Sequence, residues 1–146
     1  MRDYKDDLDP AVAIRLAAAE NYTAAEHLRR VRVVDRMAAA ADAEFGPFDA
    51  IVGPTIPITP PKMSDIATPE THLAANSMFV QNTVTVSLLH QCAATLPVGL
   101  DAAGMPVGMQ IVCRGDADET ALGVALACER VLGRSRDRLG SAPMGI

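Results

Sequence analysis

Apolar residues recur at helical spacing in several stretches of this chain and form short unbroken runs in others. The longest stripe is Leu28, Val31, Val34, Met37 or Ala38, Ala41 and Phe45, whose three- and four-residue intervals line one face of a helix. Thr23 and Glu26 precede it at capping-box spacing, where hydroxyl and carboxylate can each accept an amide proton of the first turn. Gly46-Pro47 follows it, so the helix is predicted to end near Phe45. A shorter helix is predicted before it, with Asp9 as N-cap and Pro10 in the first helical position, to about Glu20. Phe48 to Gly53 reads as a buried strand. Pro54 to Pro69 holds prolines at 54, 57, 60, 61 and 69, each without an amide donor, and is predicted as an irregular loop. Two helices are expected next, over about 70–79 and 83–91. Ala94 to Leu100 and Pro106 to Val112 are predicted strands, joined by a turn containing Gly104. Asp116 as N-cap and Glu119 three residues on predict a last helix to about Leu132, apolar around much of its circumference and ended by Gly133. Residues 133–146 are expected to be a flexible tail. Neither an internal repeat nor a second domain is discernible.

Composition narrows the function classes. Aromatics make up 3% of 146 residues and Trp is absent, so the core is expected to consist of Ala, Val, Leu, Ile and Met. The net charge of −5 argues against nucleic-acid binding. The arginines at 29, 30 and 32 sit on the expected solvated face of a helix, and those at 134, 136 and 138 lie in the tail. No apolar run is long enough to span a bilayer, and the charged start, Met1-Arg2-Asp3-Tyr4-Lys5, has no secretory pattern. Cys92, Cys113 and Cys128 are widely spaced and odd in number, which fits free thiols in a reducing compartment. The expectation is a cytoplasmic protein with neither membrane nor nucleic-acid partner.

Candidate chemistry is sparse. His27, His72 and His90 lack zinc spacing, and no metal or cofactor site is expected. Ser64, Ser77, Ser87, Ser135 and Ser141 stand singly, outside any Gly-rich turn, and the lysines, Lys5 and Lys62, lie away from any Ser pair. A serine hydroxyl is a weak nucleophile without an adjacent base; caps, turns and surface positions explain these serines better. Cys92, near His90, opens an apolar strand and reads as a small buried hydrophobe rather than a nucleophile. Gly99, Gly104 and Gly108 lack the Lys of a phosphate loop. Asp116 and Asp118 lack the later ligands of a calcium loop. The P-x-x-P pattern after Gly53 has no neighbouring Arg and leaves a strand, unlike an SH3 ligand.

Four blocks in order carry a family resemblance. Pro97, Gly99, Gly104, Pro106, Gly108 and Gln110 punctuate the two-strand segment. Phe48-Asp49-Ala50-Ile51-Val52-Gly53-Pro54-Thr55 lies upstream, Gln81-Asn82-Thr83 lies between, and Asp118 with an apolar helix ending in Glu129 lies downstream. Together they resemble the C-terminal portion of the amidase signature family. Two positions depart from it, since the family often has Arg where this chain has Gln81 and Asn where it has Ser87.

The resemblance implies an α/β fold, a mixed sheet flanked by helices, with residues 1–146 as a C-terminal fragment of an amidase-like domain. The strands at Ile51, Leu96 and Ile111 would be inner or near-inner members of that sheet. It implies hydrolysis of a carboxamide to carboxylate and ammonia, and covers general amidases, amidotransferase subunits and acylurea hydrolases alike. The family's Ser–cis-Ser–Lys triad, in which Lys is the base, lies in a Gly- and Ser-rich segment absent from this chain. No catalytic residue is therefore assigned here, and activity of the chain alone is not expected. Pro54 and Thr55 are the candidate substrate contacts, because they leave a strand end where α/β clefts form. The expected partners are a complementary N-terminal amidase half, or self-association, and a small amide in the complete enzyme. The rival readings are a non-catalytic binding or structural module derived from an amidase, and an unrelated small α/β protein.

Overall fold

The computed structural model describes residues 7–140. Helix α1 (Pro10–Ala17) runs into a 3-10 turn, Ala18–Asn21, and is followed by α2 (Ala24–Glu44). Strand β1 (Ile51–Pro54), a 3-10 turn (Met63–Ile66), α3 (Pro69–Leu88), β2 (Cys92–Leu100), β3 (Pro106–Cys113), α4 (Asp118–Leu132) and α5 (Ser135–Leu139) complete the order. The strands form one antiparallel sheet in the order β1-β3-β2. The chain is thus α/β, with helices beside a three-stranded sheet.

The hairpin follows its sequence closely. Asp101 Oδ1 accepts from the amides of Ala103 and Met105, both at 2.8 Å. Gly104 takes φ +79°, a conformation that costs an L side chain strain but glycine almost nothing. The register shifts between Pro97 and Gly99, as befits a proline that cannot donate to the ladder.

Alternation along the strands then gives the sheet two faces. Cys92, Ala94, Leu96, Met109 and Ile111 pack with Ala121, Ala125 and Cys128 of α4. Ile111 and Cys113 are fully buried there. Thr95 and Gln110, paired across β2 and β3, belong to the opposite face, which α3 approaches.

Several expectations are corrected. The strand expected over Phe48 to Gly53 starts three residues later and is an edge of this sheet, with Ile51 52% and Val52 57% exposed. The two helices expected over 70–79 and 83–91 are one, α3. Ser77 and Thr83 donate to the helix carbonyls of Leu73 and Val80, so these polar residues ride within the helix. Its start is a Thr68–Thr71 capping box followed by Pro69. Asp116 does not cap α4: it takes φ +58° and Ala117 is the N-cap, without a side-chain bond. At α2 only half of the expected box forms. Thr23 Oγ1 accepts from the Glu26 amide at 3.2 Å, while the Glu26 carboxylate pairs with Arg30 at 3.0 Å. Within the expected tail, Ser135–Leu139 is helical and residues 141–146 lie outside the described region.

Candidate functional site

The Pro54-Thr55 segment leaves β1 and is held from three sides. Asn82 Nδ2 on α3 donates to the Pro54 carbonyl at 2.7 Å. The Thr55 amide donates to the Gly108 carbonyl at 2.9 Å. The Thr55 hydroxyl reaches that of Thr95 at 3.3 Å. Gly108 makes this close approach possible, because a Cβ there would lie 2.9 Å from Thr55 Oγ1 and 3.1 Å from Thr95 Cγ2. The glycine is thus required by space rather than by dihedral.

Cavities flank this clamp. Toward α3, a cavity of about 550 Å³ is lined by Pro54, Gln81, Asn82, Thr85, Gln91 and Gln110 among others. Its polar groups are mostly neutral carboxamides, which can both donate and accept. Gln110 is 5% exposed, and its buried Oε1 has no hydrogen-bond partner among the described residues. Such an acceptor carries a desolvation cost until it is paired. Toward α4, an open groove of about 840 Å³ is almost wholly aliphatic and includes Val52, Met109, Val124 and Val131.

The sequence singled out Pro54 and Thr55 but not the residues that hold them. Asn82 and Gly108 were visible only as parts of family-like blocks, and Thr95 only as a strand residue. The missing signal is the β1–β3–β2 pairing, which brings residues 40 to 53 positions away beside the loop.

The nucleophile candidates are placed elsewhere or engaged. Ser64 donates to Asp65 Oδ1, and Ser77 to a helix carbonyl. Ser141 and Lys5 lie outside the described residues. His90 Nε2 lies 3.9 Å from Asp35 Oδ1. Desolvation, reinforced by a hydrogen bond with Asp118, pushes the Cys92 thiol above its ordinary value. Burial does the same to Cys113. Both shifts favour the neutral thiol over the nucleophilic thiolate. Cys92, Cys113 and Cys128 are unbridged. Among the described residues, no group of three or more His, Cys, Asp or Glu side chains could hold a metal ion, and no helix is long and apolar enough to cross a membrane.

Comparison with known proteins decides the family, for the amidase family model matches residues 5–122. The chain belongs to the amidase family. It is 40% identical over 134 residues to a 2-amino-5-chloromuconic acid deaminase of Comamonas testosteroni, covering 92% of this chain and 29% of that protein. A fatty acid amide hydrolase of Medicago truncatula is 32% identical over 125 residues, 84% of this chain and 21% of that protein. The chain therefore spans less than a third of these curated relatives. A crystal structure of an amidase shares its fold at a TM-score of 0.74 and 22% identity, covering 90% of this chain and 31% of the other.

Proposed function

We propose that this chain is the C-terminal portion of an amidase that hydrolyses a carboxamide to carboxylate and ammonia. The clamped Pro54-Thr55 segment is one wall of its substrate cleft. The observation that carries this reading is the junction itself. A strand end is fixed by Asn82, Thr95 and Gly108 beside a cavity of neutral hydrogen-bonding groups, which suits a small amide better than an ion. The nucleophile and its base come from the preceding portion of the fold, which acts as the chain's partner, and the chain alone is inactive. The unbridged thiols of Cys92, Cys113 and Cys128 fit a reducing compartment such as the cytoplasm.

The test is ammonia release from acetamide, benzamide and glutamine by the purified chain. The expected result is no turnover. Turnover lost on Ser87→Ala or Cys92→Ala would refute the assignment of chemistry to another portion. A second reading, a non-catalytic module derived from an amidase, is favoured by the compact core between the hairpin and α4. It predicts a sharp monomer peak and strong amide protection over 94–100 and 106–112 without any partner, whereas the exposed Ile51, Val52 and Val131 favour self-association of the isolated chain.

A further inference from the structure

We propose that the aliphatic groove between β1 and α4 is the surface on which the preceding portion of an amidase docks, presenting an uncharged aliphatic segment to it. This rests on the reading of the chain as a C-terminal portion and names the face that the partner covers. The groove, about 840 Å³, is lined by Val52, Pro54, Val98, Met109, Val124 and Val131 among others, with no charged or aromatic side chain. Val131 is 88% exposed and Val52 57%. Contiguous aliphatic surface of this kind marks a protein interface. The groove is bounded by β1, an edge strand of four residues, and an open edge is a place for a further strand.

Two observations choose the occupant. The solved amidase that shares this fold is about three times longer than the superposed region, which is 31% of its chain. The remainder of such a fold has to pack against what this chain leaves uncovered. The two cavities also differ in chemistry. The α3-side cavity offers Gln81, Asn82, Gln91 and Gln110 to a polar ligand, whereas the α4-side groove offers almost no hydrogen-bonding group. Burial of aliphatic side chains is the attraction available there.

The test uses the part of the Comamonas testosteroni deaminase that precedes the region matched by this chain, produced as a separate polypeptide. It is co-purified with the full 146-residue chain as wild type, Val131→Lys and Met63→Lys. Met63 is 79% exposed and lies outside the groove. Wild type and Met63→Lys should capture the polypeptide, and Val131→Lys should capture at least tenfold less. Hydrogen exchange over 106–113 should be the same in all three, showing that the substitution leaves the chain folded. Equal capture by Val131→Lys would overturn the docking surface while leaving the reading of the chain intact. No capture by wild type would overturn both. A homodimer that Val131→Lys converts to monomer, with capture unchanged, would make a second copy the occupant and refute the proposal. Saturable oleamide binding lost in that variant, again with capture unchanged, would refute it in favour of a lipid-like ligand.

Discussion

The β2–β3 hairpin with α4 and the long helix α2 are both rich in aliphatic residues, and they use them differently. In the first unit, Ile111 and Cys113 are sealed by Ala121 and Ala125. Small alanines on α4 let the helix approach the sheet closely, so few residues make a dry core. Helix α2 is 21 residues long and buries none of them, and Phe45 is buried just past its end. Leu28 and Met37 on its apolar stripe are each 56% exposed. Its polar ties to the hairpin–α4 unit gather near the C-terminal end. The Arg114 guanidinium donates to the carbonyls of Asp42 and Gly46 and stands 5.5 Å from the Phe45 ring centre, while the Gly115 amide donates to Asp42 Oδ1. One region carries its own hydrophobic stabilisation. The other has the pattern for it and lacks the opposing surface.

The strongest way to break this contrast is a pair of truncations. Ile111→Ala removes a fully buried side chain, and large-to-small changes of this kind cost about 2–5 kcal/mol. Leu28→Ala trims a side chain already half in water, and exposed substitutions stay within about 0.5 kcal/mol. Urea unfolding of both variants measures the difference. Equal losses would mean that α2 is packed in solution against something this chain supplies itself.

A smaller effect sharpens the account of the hairpin. Gly104→Val introduces a β-branched residue at φ +79°, where a Cβ would meet nothing within 4 Å. The penalty is therefore backbone strain without a clash, about 1–3 kcal/mol. It should appear as a lower urea midpoint. An unchanged midpoint would show that the turn relaxes to another conformation without cost.

These two regions also show what could be read from residues alone. The hairpin was legible because its information is local: Asp101 and Gly104 encode the turn, and Pro97, Gly99 and Pro106 punctuate the strands. The edge position of β1 was not, because Ile51-Val52 looks equally buried whether one neighbour is present or two. The merging of two expected helices into α3 was hidden because Ser77 and Thr83 can either break a helix or bond back to it. The division of the sheet into a carboxamide-lined side and an aliphatic side depends on register, which pairs Thr95 with Gln110 and Ala94 with Ile111. Pro54 and Thr55 were identifiable as a strand end; the clamp around them required that pairing.

The finest test addresses what stabilises a helix whose apolar face is uncovered. Without packing, α2 depends on length, caps and side-chain pairs. Thr23 Oγ1 accepts the Glu26 amide, Glu26 pairs with Arg30, and the Arg30 guanidinium lies 4.0 Å from the Tyr22 ring centre. The ion pair is exposed and contributes a few tenths of a kcal/mol. The cap is worth more, about 0.5–2 kcal/mol. Thr23→Ala should therefore raise amide exchange through the first turns of α2, and Thr23→Ser should restore protection, since only the hydroxyl is needed. Exchange over 106–113 should not change, because little besides the Arg114 and Gly115 ties at the far end links α2 to the sheet. Loss of protection in β3 together with α2 would show that the helix and the core unfold as one unit, and the contrast between the two regions would fail.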